Sequence, residues 1–220
     1  MNNKLYFLAL NRINGIGPRT VVMLLQRWPN LEELFRLSAT QMQQAGLKPA
    51  IAAAIASFNL SQVDDDWRWQ EAINHTLLTW DDGEYPALLK EIPDPPLALY
   101  ARGDLSALRL PTVAMVGSRR PSLTGGETAW RFAYELANQH VTVVSGLALG
   151  IDAQAHRGCL AAHGRTIAVM GTGIDGIYPR QHFSLAEEIV ENGLLLSEFP
   201  LQSLPIAGHF PRRNRIISGI

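Results

Sequence analysis

The sequence predicts an α/β fold: a doubly wound, mainly parallel sheet with helices on both faces, preceded by a small all-α domain. Three observations predict it. Apolar runs of strand length recur at 112–116, 141–145, 166–170 and 194–197, with stretches of helical period near 123–138, 151–163 and 181–192 between them. The first three runs end in Gly117, Gly146 and Gly171, where a parallel sheet brings its backbone to a ligand. The first sixty residues show only helical patterns. Strands separated by helix-length segments make βαβ units, which require a parallel sheet.

Taken in order, Leu5, Leu8, Ala9, Leu10 and Ile13 give a first helix its apolar face. The turn Asn14-Gly15-Ile16-Gly17-Pro18 follows, and a second helix starts near Arg19 with Val21, Val22, Leu24 and Leu25 apolar. Leu31–Phe35 and Ile51–Phe58 are two further helical stretches, the latter after Pro49 at a first-turn position. Asp64-Asp65-Asp66 reads as a solvated first turn of a helix running to about His75. The boundary is placed near residue 62, giving a helical domain over 1–62 and an α/β domain over 63–220. Thr76–Trp80 and Ala98–Ala101 read as strands, separated by Asp81-Asp82-Gly83 and the proline-dense Ile92–Pro96. Residues 213–220 read as the first turns of another helix. A strand should follow such a helix, so the sheet is expected to lack its last members. No internal repeat appears.

At 220 residues and a net charge of −1, composition excludes little. The lone Cys159 excludes an intramolecular disulfide and a thiolate metal cluster. No apolar run spans a bilayer, and the N-terminus lacks the order of a signal peptide, so a cytoplasmic setting without membrane contact is expected. Charge distribution says more. From residue 111 onward every lysine-or-arginine position is arginine, mostly beside glycine or proline, whereas 64–94 is acid-rich.

Four turns carry candidate chemistry. Gly117-Ser118-Arg119 ends a strand just before a helix start. Glycine admits a close ligand, Ser118 can donate, and Arg119 offers a planar fork suited to phosphate. Ser145-Gly146-Leu147-Ala148-Leu149-Gly150-Ile151-Asp152 reads either as a second ligand loop or as a tight βα turn, with Asp152 positioned to cap the next helix and fix the loop. In Gly171-Thr172-Gly173-Ile174-Asp175-Gly176-Ile177-Tyr178-Pro179-Arg180, Asp175 is a turn former, and Arg180 after proline favours a phosphate contact. Phe210-Pro211-Arg212-Arg213-Asn214-Arg215 concentrates three arginines at a helix start; they either contact an anion or pair internally, with Glu198 one candidate partner. Earlier, Asn14–Arg19 resembles a helix-hairpin-helix, and is either a phosphate-approaching turn or a packing device.

Several chemistries are missing. There is no G-x-G-x-x-G with an acidic residue some twenty positions on and no G-x-x-x-x-G-K-[ST], so neither a dinucleotide cofactor nor a P-loop is expected. His156 and His163 share a predicted helix face without a further metal ligand, His156 reading as packed helix, and Cys159 reads as core. A phosphate site without base, metal or nucleophile points to binding rather than turnover; no cofactor, metal or catalytic residue is assigned.

Together Gly117-Ser118-Arg119-x-x-Ser122, Ser145-Gly146-x-Ala148-x-Gly150-Ile151-Asp152, Gly171-x-Gly173-x-Asp175-x-x-Tyr178-Pro179 and Phe210-Pro211-x-Arg213-Asn214-Arg215 occur in the order seen in the DprA/Smf family of bacterial DNA-processing proteins. Tyr85-Pro86 through Pro96 to Gly103 resembles the family's lead-in, and residues 1–62 its helix-hairpin-helix, SAM-like domain. The resemblance implies an extended Rossmann-like domain that binds single-stranded DNA without catalysis, protects it in natural transformation and loads the recombinase RecA. It implies that Arg119 and Arg180 contact the DNA backbone, with Ser118, Gly146 and Asn214 lining the pocket; Gly117, Ser122, Arg213 and Arg215 complete the candidate DNA-binding set. It also implies a homodimer in the full-length protein, with RecA contacts largely beyond residue 220. The sequence departs from the family at Thr124, where tyrosine is usual. The alternative is a nucleotide-phosphate enzyme resembling the phosphoribohydrolases, whose P-G-G-x-G-T-x-x-E run is absent here.

Overall fold

The computed structural model of the protein describes residues 3–220. Its centre is one sheet of six strands: β1 (His75–Thr79), β2 (Ala98–Gly103), β3 (Thr112–Ala114), β4 (Thr142–Ser145), β5 (Thr166–Val169) and β6 (Leu194–Ser197), in the order β1-β2-β6-β5-β4-β3. Strands β3 to β6 pair in parallel, whereas β2 joins β6 and β1 joins β2 antiparallel, so the sheet is mixed. All residues of β4, β5 and β6 are buried, as expected of parallel strands covered on both faces.

The four parallel strands lie side by side in chain order. Right-handed crossovers therefore carry α8 (Leu123–Asn138), α9 (Ile151–Ala161) and α10 (Phe183–Asn192) onto the same face. Ala153, Leu160, Leu185 and Ile189 of α9 and α10 pack there with Ala168 and Leu195. The opposite face, with Val144, Ile167, Val169 and Leu196, is covered by Leu89 of α7 (Ala87–Glu91) and by Ile216 and Ile217 of α11 (His209–Ile217). All parallel strands consequently end at one rim, roofed by the start of α11.

The N-terminal layer contains α1 (Lys4–Arg12), α2 (Pro18–Arg27), α3 (Leu31–Phe35), α4 (Ala39–Gln44), α5 (Pro49–Ser57) and α6 (Asp64–Trp69). Phe7, Leu10, Val21, Leu24, Leu34 and Ile55 form its core, while Leu8 on α1 packs into the sheet's core beside Tyr100. Pro18 and Pro49 occupy first-turn positions, where a missing N–H costs nothing. Helix α4 escaped the sequence reading because it is short; Ser38 and Gln41 start it with a reciprocal capping box.

Two expectations are corrected. The helix beginning at Asp64 stops at Trp69, because β1 already starts at His75. Its aspartates are not all solvated: Asp66 is fully buried, accepting from Arg12 Nη2 at 2.6 Å and from the Tyr100 hydroxyl at 2.7 Å. A buried carboxylate persists when paired and hydrogen-bonded, and this one ties α1, α6 and β2 together. Burial, then the Asp66 charge, holds the Tyr100 hydroxyl well above its ordinary pKa.

Asp66→Ala strands Tyr100 and removes the partner of Arg12. Urea unfolding is expected to show a loss of about 3 kcal/mol. Arg36→Ala, which removes only an exposed pair with Glu32 one helical turn away, is expected to change stability by less than about 0.5 kcal/mol.

Candidate nucleic-acid interface

The turns that follow β3, β4 and β5 meet the start of α11 around a groove of about 510 Å³. Its walls include Gly117, Arg119, Ala148, Tyr178, Phe210 and Asn214. Arg119 is exposed and has no acidic partner among the described residues; its guanidinium carbon lies 5.8 Å from the centre of the Phe210 ring. Tyr178, 48% exposed, packs against the same ring with centroids 5.6 Å apart. No acceptor among the described residues takes the amides of Gly117, Ser118 or Arg119. A free cation, a pair of accessible rings and unpaired amides thus share one rim. The Tyr178–Pro179 peptide is cis.

Beneath the groove the polar groups are already engaged. Arg213, only 4% exposed, donates through Nη1 to the carbonyls of Gly146 and Val169 and through Nε to Asn214 Oδ1 at 3.1 Å. Burial lowers its pKa, and the Asp152 carboxylate opposes that shift. A Cβ on Gly146 would stand 2.5 Å from Arg213 Nη2, so the loop needs glycine there. Asp152 Oδ2 accepts from the Gly146 and Ala148 amides at 3.1 and 3.4 Å. Of its two expected roles Asp152 fills one: it closes the preceding loop, spending those two amides, and makes no cap to the helix. Glu198 holds Arg215 at 2.6 Å and Arg212 at 3.3 Å. Its burial raises the carboxyl pKa in spite of both arginines.

Deeper still, His156 is completely buried. The Thr166 hydroxyl donates to the Val143 carbonyl at 2.8 Å, so it accepts from His156 Nδ1 at 2.7 Å, which fixes the imidazole as the neutral Nδ1–H tautomer. Burial, with His182 and Arg213 nearby, pushes its pKa down to about 3. His163 does not share its helix face, because α9 ends at Ala161 and His163 lies beyond it with φ +53°. Cys159 is buried core.

The candidate residues separate into groups. Gly117, Arg119, Gly146, Arg213 and Asn214 come together at the groove or at the smaller hollow beside it. Ser118 is on the same turn, its oxygen accepting from the Arg120 amide at 3.0 Å while its own proton stays available. Ser122 caps α8 through the Gly125 amide and lies outside the groove lining. Arg180 is exposed and without a partner among the described residues, two positions beyond Tyr178. Arg215 faces Glu198 and Asp94 rather than the groove. Asp175 holds the loop after β6 through the Gln202 amide, as a turn former does. Phe210 is the residue that sequence reasoning undervalued: it stood in the arginine motif, but nothing local showed that its ring sits between Arg119 and Tyr178. Phe183 is exposed at the start of α10, outside the groove lining.

A sequence model of the family described as DNA recombination-mediator protein A matches residues 76–220. Protein Smf of Synechocystis sp. is 40% identical over 222 residues, which cover 98% of this chain and 56% of that protein. The chain belongs to the DprA/Smf family. Protein Smf of Escherichia coli is 43% identical over 185 residues, covering 84% of this chain and 50% of its own length. The crystal structure of Streptococcus pneumoniae DprA superposes with a TM-score of 0.78 at 33% identity, covering all of this chain and 75% of the other. A Helicobacter pylori DprA, solved to explain its single-stranded DNA binding mode, matches with a TM-score of 0.59 at 36% identity over 64% of each chain. The chain spans about half the length of the curated DprA/Smf relatives it matches. Among the described residues, no helix is long and apolar enough to cross a membrane.

The rim's rigidity is open to test at Gly150, whose φ of +80° and contact with the Ser118 carbonyl leave no room for a side chain. Gly150→Ala is expected to lower stability by about 2–4 kcal/mol in thermal or urea unfolding. His156 sets a pH dependence. Its folded pKa of about 3 lies below the ordinary 6.5, so the unfolded chain takes up the proton first as pH falls. The contribution to stability is complete above about 6.5 and is lost progressively between there and about 3. His156→Gln, neutral throughout, is expected to flatten that acid limb by up to about 1.4 kcal/mol per pH unit.

Proposed function

We propose that the groove binds single-stranded DNA, with Arg119 on the phosphate backbone and Tyr178 and Phe210 as a platform for unstacked bases. One observation carries this reading: an unpaired arginine lies over the half-buried Phe210 ring, which packs against the exposed Tyr178 ring, at the carboxyl ends of parallel strands. Sequence-tolerant recognition of single strands combines backbone neutralisation with base–ring stacking in this way. Arg180, Ser118 and Asn214 extend the contact along the strand, and the single-strand binding of the Helicobacter pylori relative supports the assignment. Arg213 and Arg215 act from behind, as braces of the groove, and Ser122 acts as the cap of α8.

The protein binds without turnover on this reading. His156 and His182 are buried against Thr166 and the Leu147 carbonyl, so neither imidazole presents a base to the groove, and Asp152 Oδ2 is held by two loop amides. No feature of the groove favours the phosphoribohydrolase alternative. Its larger role, also proposed, is to protect incoming strands and pass them to RecA, as a homodimer in the full-length protein; the recombination-mediator description of the matching family supports it.

Fluorescence anisotropy with a labelled oligonucleotide tests the groove. For a residue that neutralises one phosphate, alanine is expected to reduce the slope of log K against log salt by about 0.7, so Arg119→Ala with Arg180→Ala removes about 1.4. Phe210→Ala is expected to cost about 1–3 kcal/mol of binding while leaving that slope in place. Unchanged affinity in a folded Arg119→Ala/Arg180→Ala protein rules the assignment out.

A further inference from the structure

The helical layer contains two turns of like design that the sequence did not show as a repeat. Gly15-Ile16-Gly17-Pro18 joins α1 to α2, and Gly46-Leu47-Lys48-Pro49 joins α4 to α5. In each, a glycine with left-handed φ (+84° at Gly15, +91° at Gly46) precedes an apolar residue, and a proline then opens the next helix. Three shared positions are too few to register as periodicity. In space the two turns line one cleft of about 300 Å³, with Arg19 and Thr20 on one side and Lys48 and Ile51 on the other.

The charges of this layer are sorted around that cleft. Between residues 3 and 58 the cations are Lys4, Arg12, Arg19, Arg27, Arg36 and Lys48. Lys4 pairs with Asp82, Arg12 with Asp66 and Arg36 with Glu32. The other three are exposed and have no acidic partner among the described residues, and all three gather here. Arg19 and Lys48 line the cleft, and Arg27 Nη1 comes within 3.9 Å of where a Gly46 Cβ would stand. Neither carboxylate of this stretch, Glu32 or Glu33, lines it. Like charges gathered without counter-charge create a local positive potential that favours an anion.

We propose that this cleft is a second nucleic-acid site, which holds the backbone of double-stranded DNA. The inference does not depend on the groove's reading. The form of nucleic acid follows from what the cleft lacks. No aromatic ring lines it, in contrast to the groove with Tyr178 and Phe210, so it offers unstacked bases no platform. A duplex turns its bases inward and its phosphates outward, where cations and backbone amides suffice. Two equivalent turns side by side give two contact points for the two phosphate chains bordering one groove of a duplex.

The test uses the whole chain and a labelled blunt duplex of about 14 base pairs, alongside a single-stranded oligonucleotide of the same length, each titrated at several salt concentrations. Arg19 and Lys48 are exposed and unpaired, so Arg19→Ala/Lys48→Ala is expected to keep the wild-type melting curve. Its duplex affinity is expected to fall at least about tenfold and its duplex salt slope by about 1.8, two contacts at about 0.9 each. Its single-strand affinity is expected to stay within about twofold. The proposal is overturned if the wild-type chain leaves the duplex unbound at about 50 mM salt, or if the double variant binds it with wild-type affinity and slope. It is equally overturned if the double variant loses only single-strand affinity, since the cleft would then continue the single-strand path.

Discussion

The rim of the sheet depends on one buried cation. The Arg213 guanidinium joins the start of α11 to the carbonyls at the ends of β4 and β5, with Asn214 Oδ1 on its Nε and the Asp152 carboxylate nearby. A charge so deeply placed is tolerated only with such partners, and removing any of them leaves a group without compensation. Because those carbonyls belong to different strands, α11 cannot move without opening the rim. Gly146 and Asp152 are shaped around the same cation: one leaves it room, and the other closes the loop that it touches.

This brace divides the arginines by work. Arg213 is spent on carbonyls, and Arg212 and Arg215 on Glu198, so the dense cluster at 212–215 mainly builds the wall. Arg119, in the turn after β3, is the cation left facing the groove beside a ring. The number of arginines in a motif is therefore a poor guide to where an anion sits; the absence of an internal partner is a better one. The helical layer follows the same rule, with three of its cations neutralised by carboxylates and three left at one cleft.

Much of this was legible in the sequence where the cause is local. The buried runs at β4, β5 and β6, the proline start of α5, and the glycine turns at strand ends are short-range signals, and the structure places each where the pattern does. Signals failed where the deciding partner is distant in sequence. Asp66 looked like a solvated first-turn aspartate, because Arg12 and Tyr100 lie 54 and 34 positions away. Asp152 looked like a helix cap, yet the amides that donate to its carboxylate belong to the loop before it. The antiparallel attachment of β2 to β6 likewise depends on pairing that no local pattern encodes.

On the reading proposed for the groove, unstacked bases rest on the Tyr178–Phe210 platform beside Arg119. Photo-crosslinking with an oligonucleotide carrying 5-iododeoxyuridine, followed by peptide mass spectrometry, reads that contact directly. Adducts are expected on Tyr178 and Phe210, and they disappear when excess unlabelled single strand competes. Adducts confined to the helical layer or to the outer face of α8, with none on these two rings, would contradict it.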